Sequence, residues 1–155
     1  MKENKLFKEN KGKILVSSLI TLLPVLFGLM VWDKLPDTMF THWGADGTAD
    51  AMRGTASVVF GLPLIMLLLH FFCLFLTSLD KKQQNQNKKA LGMIFWIVPI
   101  TSLFSTSLIY AVSLGKEMSF ELLTPAFLGL MFTVIGLHDT EENKMIYDTL
   151  AEKIN

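Results

Sequence analysis

The chain has a single cysteine, Cys73, and it lies inside an apolar run. An internal disulfide is thereby excluded, and so is a cysteine-rich metal cage. Net charge is missing too: 14 Lys and Arg balance 14 Asp and Glu over 155 residues. No global field argues for nucleic acid or for an acidic substrate. No Gly-x-Ser-x-Gly, His-Glu-x-x-His or phosphate-loop pattern occurs anywhere. Charges are scarcest where a soluble helix would need them. Only 18% of residues are charged, and they cluster between blocks that have none.

What fills those blocks is apolar: 51% of the chain, with a mean hydropathy of +0.43. This sets the class as integral membrane protein, and the length sets one domain over residues 1–155. Ile14–Trp32 is 19 residues without a charge, and about 20 cross a hydrocarbon core at the helical rise. Ser57–Ser78, Leu91–Leu114 and Glu121–His138 supply further spans. A span in lipid must satisfy its own backbone, which makes each one a helix. The expectation is an all-α membrane protein with four transmembrane helices at about 14–32, 57–78, 91–114 and 121–138 and one structured extracytoplasmic loop, 33–56. The lysine-rich start imitates a signal peptide, but Met-Val-Trp-Asp-Lys lacks a small-x-small cleavage pattern, so the first helix is read as retained.

Orientation follows from Lys and Arg. Eleven lie in the amino-terminal segment, the Leu79–Ala90 link and the tail 139–155, against three (Lys34, Arg53, Lys116) on the other side. Both termini are therefore expected in the cytoplasm of a bacterial plasma membrane, with the loop outside. The tail opens with Asp139-Thr-Glu-Glu, a capping-box pattern, and Ile146, Tyr147, Leu150 and Ile154 follow at helical spacing. Its five acids against two lysines favour a cytoplasmic regulator over anionic lipid as the docking partner.

Each span holds one proline: Pro24, Pro63, Pro99 and Pro125. Small residues recur beside them. Ser17, Thr21, Pro24 and Gly28 share one helical face, and Pro125, Gly129, Thr133 and Gly136 share another, the spacing that lets helices approach closely. The third span carries Thr101, Ser102, Ser105, Thr106, Ser107, Tyr110 and Ser113. Hydroxyls in a membrane helix serve as interhelical donors or satisfy carbonyls behind a proline, here Pro99. No acid or base accompanies them, which weakens a proton relay. His70, Cys73 and Thr77 fall on one face of the second span. Two of the three are potential metal ligands, but the set is incomplete, and a histidine hydrogen-bonded to a neighbouring helix is the simpler reading.

The chemically densest stretch is Leu35–Asp50. Pro36, Gly44 and Gly47 argue for a shaped loop without a regular element. His42, Asp46, Asp50 and Asp37 could hold a divalent metal. His42 could act as a base oriented by an aspartate, with Thr38, Thr41 or Thr48 as nucleophile. Phe40 and Trp43 could anchor a partner whose cationic groups meet Asp37, Asp46 and Asp50. A fold-shaping role stands beside these: Trp43 as a boundary aromatic, Asp46-Gly47 as a turn, Asp50 as a cap before the second span.

Leu35-Pro36, His42-Trp43, Gly47 and Asp50 resemble the Leu-Pro-x-x-x-x-x-His-(Trp/Phe)-x-x-x-Gly-x-x-Asp signature of SdpI-like membrane proteins, in their amino-terminal domain of unknown function. The resemblance covers roughly residues 14–136, including Asn-Lys-Lys before Leu91 and Trp96–Pro99. Beyond Gly136 the chain reads Leu-His-Asp-Thr-Glu-Glu where family members continue with Gly-Asn-Tyr-x-Pro-Lys. What the resemblance implies is a small bacterial multispan protein that gives immunity to, or senses, a secreted antimicrobial peptide toxin, and that relays its presence to a cytoplasmic repressor. The expected partners are the lipid bilayer and an extracellular peptide, with no cofactor, no enzyme activity and no nucleic acid. A structural or regulatory membrane subunit is one alternative, and a metal-dependent membrane enzyme using His42 and the loop aspartates is another.

Overall fold

The structure, a computed structural model, describes residues 5–44, 46–79, 88–120, 122–134 and 136–137. Of the expected link 79–90, residues 80–87 lie outside the described residues, as does the tail at 139–155, while Leu79 and 88–90 are helical. The chain forms two compact units, Met1–Ser119 and Phe120–Asn155. In the first unit a short helix α1 (Lys5–Glu9) leads into α2 (Lys11–Met30) and a 3₁₀ turn at Trp32–Lys34. Two strands follow, β1 (Thr38–Trp43) and β2 (Ala49–Gly54). A π turn at Ser57–Gly61 opens α3 (Leu62–Leu79), and α4 (Lys88–Ser113) completes the unit. The second unit contains the shorter apolar helix α5 (Leu122–Val134), in which the Thr133 hydroxyl donates to the Gly129 carbonyl at 2.8 Å.

Three helical segments, Lys11–Met30, Ser57–Leu79 and Phe95–Ser113, are long and apolar enough to cross a membrane. Their side chains are arranged inside out relative to a water-soluble bundle. Ser17, Thr21, His70, Ser102 and Thr106 are 0% exposed, whereas Met30 is 82%, Leu68 70% and Ile65 66% exposed. Water would favour the reverse, since burying apolar surface is what drives soluble folding. A hydrocarbon solvent favours this one, because leucine gains nothing there by turning inward.

The interior of the first unit is a polar seam. The face of α2 that the small residues mark, Ser17, Thr21, Pro24 and Gly28, is its buried face. Opposite it, the Ser102 hydroxyl donates to the Thr21 carbonyl at 3.1 Å and the Tyr110 hydroxyl to the Pro24 carbonyl at 3.0 Å. The carbonyl that Pro24 leaves without its helical donor is that of Ile20, which directly precedes Thr21 in the chain. So a hydroxyl of α4 serves the proline region of α2. The hydroxyls of Thr101 and Ser105 turn back on their own helix, to the carbonyls of Ile97 and Thr101 at 2.8 Å each. Pro63 is accommodated differently. The chain widens just before it into the π turn, with the Leu62 N–H bonded to the Ser57 carbonyl. A π turn is one of the few ways a helix absorbs a local conflict without ending.

At one end, Leu6 of α1 packs with Leu74 and Phe95 and with the partly buried Phe7 and Ile14. Nothing in the lysine-rich start announced this closure. At the other end, Met39, Val58, Val59, Ile109 and Tyr110 form the second cluster, with Leu35, Trp43 and Leu62 against it. Met39 belongs to β1, so the hairpin is plugged into the helix ends.

That hairpin corrects the all-α expectation. β1 and β2 pair antiparallel, with Thr38 opposite Gly54, Met39 opposite Arg53, Phe40 opposite Met52 and Trp43 opposite Ala49. Pro36 precedes the first strand, and Gly44 and Gly47 sit in the turn, so the residues read as breakers bound the strands without interrupting them. Asp50 lies in β2 and caps no helix. Thr55 ties the base: its N–H bonds the Asp37 carbonyl at 3.0 Å and its hydroxyl the Pro36 carbonyl.

Gly28 makes the seam possible. A Cβ there would lie 2.4 Å from the Tyr110 hydroxyl oxygen and 2.8 Å from Val59 Cγ1. Gly28→Ala is expected to destabilise the protein by about 1–3 kcal/mol, the usual effect of overpacking. Adding Tyr110→Phe, which removes the nearest atom, should cost less than the two single effects combined. Thermal unfolding of the four variants in lipid nanodiscs checks this.

Candidate functional site

The hairpin's two faces divide the residues that the sequence grouped together. Alternation puts Met39 and Trp43 on the inner face and Phe40 and His42 on the outer one. Phe40 is 39% exposed, and its cross-strand partner Met52 is 49% exposed. Beside this apolar pair, His42 Nδ1 and Asp50 Oδ1 are 2.6 Å apart, both side chains well exposed. Trp43 is half-buried and packs against the Met39 cluster. Phe40 and Trp43 therefore cannot anchor one partner together, and the outward apolar neighbour of Phe40 is Met52, which sequence reasoning missed. The signal for it was an Asp-Gly turn with alternating strands on either side.

The ladder is irregular around His42. The register shifts between Phe40 and His42, making His42 the partner of Ala51, and shifts back by Trp43. Bulges re-aim side chains, and here the two shifts cancel. Beyond them Trp43 and Ala49, both half-buried, again face each other. Within the irregular stretch His42 reaches Asp50, the residue it would oppose in an undisturbed ladder.

The turn is held by its own side chain. Asp46 Oδ1 accepts from the Thr48 hydroxyl at 2.7 Å and from the Thr48 N–H at 3.1 Å. Gly47 takes a φ of 75°, a left-handed conformation open to glycine at little cost. The Gly44 N–H bonds the Thr48 carbonyl at 2.8 Å and the Gly47 N–H bonds the Gly44 carbonyl at 3.0 Å. The Thr48 hydroxyl, and then its N–H, hold the Asp46 carboxyl below the ordinary carboxylate range.

These placements bear on each chemistry open at the loop. A metal would find His42 and Asp50 together, but Asp46 is engaged by Thr48 and Asp37 lies before β1, at the hairpin's base. Among the described residues no group of three His, Cys, Asp or Glu side chains could hold a metal ion. For a hydrolase, Thr48 donates its proton to Asp46, so that candidate nucleophile is turned away from His42. A recognition surface keeps its parts: an apolar pair, a carboxylate and an imidazole, all on the solvent face.

The second group, His70, Cys73 and Thr77, is not one site. His70 and Thr77 are buried and Cys73 is half-buried. The Thr77 hydroxyl donates to the Cys73 carbonyl at 2.8 Å. His70 Nε2 instead reaches across to Ser17 Oγ on α2, at 2.8 Å. That is the distance of a nucleophile and its base. The rest of such a site is missing among the described residues. Nδ1 has no orienting partner, and Ser17 sits mid-helix, where neighbouring N–H groups are engaged in helical bonds and unavailable to an oxyanion. The pair holds α2 to α3.

The fold and site thus describe a chain whose long helices are compatible with a bilayer and in which, among the described residues, an exposed histidine–carboxylate pair stands on the hairpin. A sequence family described as Domain of unknown function (DUF1648) matches residues 19–67. The match runs from the middle of α2 through the hairpin into α3. No curated protein matches the chain, and no solved structure does.

Two outcomes follow from the hairpin's geometry. Trp43→Ala should lower the melting temperature, whereas Phe40→Ala, on the solvent face, should leave stability within about 0.5 kcal/mol. Asp46 has a lowered folded-state pKa, so its contribution is complete above the ordinary carboxylate value and is lost as pH falls through the folded value. Carboxyl-carbon NMR should show Asp46 titrating below the ordinary value. Thr48→Val, which removes the stronger donor, should move that midpoint upward.

Proposed function

We propose that this is a bacterial plasma-membrane protein of SdpI-like type. Its outer hairpin meets a secreted, cationic, amphipathic peptide toxin and gives immunity to it or senses it. The chain crosses the membrane four times in this reading, with α5 contributing to the fourth span and both termini in the cytoplasm. The observation that carries the reading is the hairpin's solvent face, where Phe40 and Met52 stay exposed beside Asp50 while Met39 seats the strands in the helix ends. An exposed aromatic–thioether pair next to a carboxylate suits a partner that has apolar side chains beside a cationic one. Bound to His42, Asp50 is already oriented toward solvent. A cytoplasmic regulator at the tail would carry the signal onward.

Survival tests this. The chain is expressed in a sensitive Gram-positive host and challenged with secreted peptide toxins, beside a Phe40→Ala/Asp50→Asn variant at matched membrane abundance. Wild type should raise the inhibitory toxin concentration by about tenfold or more, and the variant should lose that protection; tenfold in affinity is about 1.4 kcal/mol. Equal killing of all strains, with the protein inserted, would overturn the reading.

A further inference from the structure

Three buried side-chain atoms in the helix interior have no hydrogen-bond partner among the described residues: Ser18 Oγ, His70 Nδ1 and Thr106 Oγ1. His70 is the informative one, because the state of its ring turns on where the Ser17 hydroxyl sends its one proton, to the Ile14 carbonyl or to Nε2. The Ser17 hydroxyl carries a single proton. Its Oγ lies 3.1 Å from the Ile14 carbonyl oxygen, an acceptor that has no proton of its own to offer. With the hydroxyl proton directed to Ile14, the 2.8 Å contact with His70 Nε2 requires the imidazole to donate. A neutral imidazole has one N–H, so Nδ1 is then a bare lone pair. It lies in a side chain that is 0% exposed, inside a unit whose outer surface is leucine and phenylalanine.

An acceptor left unmade in such surroundings is costly, and buried polar atoms are almost always satisfied. The chemistry limits what satisfies this one. A metal ion or an ammonium group would need a counter-charge, and none of 14–32, 57–79 or 91–114 contains an Asp or Glu. Among the described residues this leaves a small neutral hydrogen-bond donor as the fitting ligand. We propose that His70 Nδ1 binds a water molecule within the helix interior, with Nε2–H donating to Ser17. The buried hydroxyl of Ser18, which follows Ser17 in the chain, is chemically matched as a second contact, since a buried water commonly makes about three hydrogen bonds. The polar seam is in this sense a hydrated one, and His70 is its acceptor site.

The test uses the full chain in lipid bilayers, labelled with nitrogen-15 histidine. The sequence has three histidines, so a His42→Gln/His138→Gln variant isolates the signals of His70. The expected spectrum has Nε2 protonated, Nδ1 unprotonated, and magnetisation passing from water protons to Nδ1. A protonated Nδ1 would overturn the tautomer assignment and the site with it. An unprotonated Nδ1 that receives no transfer from water, or that receives it from a protein donor, would overturn the water. Neither result depends on whether the hairpin binds a peptide.

Discussion

The contact on which the first unit depends is the one between Tyr110 and the backbone of α2. Its hydroxyl donates to the Pro24 carbonyl, its ring lies 5.6 Å from that of Phe27, and Gly28 leaves the space it occupies. In lipid, apolar surface supplies little net attraction between helices, and each interhelical hydrogen bond is worth only about 0.6–2 kcal/mol. Close approach at a glycine, with a backbone carbonyl of α2 as acceptor, makes the most of that small sum. Tyr110 also belongs to the cluster that receives Met39. The same side chain therefore clamps two helices and forms part of the seat of the hairpin.

Much of the helical frame was legible in the sequence. Charge-free runs located the long helices, and the Ser17, Thr21, Pro24, Gly28 face identified the buried side of α2, because only small residues permit close approach there. The hydroxyls of α4 were legible as helix-to-helix donors, but not their targets. Of the two targets the sequence offers, a neighbouring helix and the carbonyls behind Pro99, Ser102 and Tyr110 take the first and serve carbonyls of α2. Which carbonyl a hydroxyl reaches depends on how two helices are rotated against each other, and one strand of sequence does not carry that rotation. The π turn before Pro63 was likewise invisible, since the sequence shows where a helical bond is lost but not how the backbone widens to compensate.

The hairpin was misread for a different reason. Pro36, Gly44 and Gly47 carry the same local preference whether they interrupt a strand or bound one, and only pairing decides. Once the strands pair, period-two alternation redistributes the motif. Trp43 turns to the helices while His42, its neighbour, turns to solvent and meets Asp50. A motif that reads as one dense patch is in fact two layers, one structural and one exposed. Leu35, Trp43 and the Asp46–Thr48 turn shape the hairpin; Phe40, His42, Asp50 and Met52 are what it shows.

This division explains how a two-stranded element is held in one conformation. An isolated hairpin is marginally stable in water. Here the ordering is already done. Thr55 closes the base, Asp46 closes the turn, and Met39 is held at 1% exposure between Val58, Val59, Ile109 and Tyr110. The family match at 19–67 includes the hairpin, Gly28, Val58 and Val59, but Ile109 and Tyr110 lie outside it. The matched segment thus carries the exposed face and only half of its support; the other half comes from α4. A displacement of α4 against α2 would shift the seat of Met39 directly, which couples the position of the hairpin to the packing of the helices.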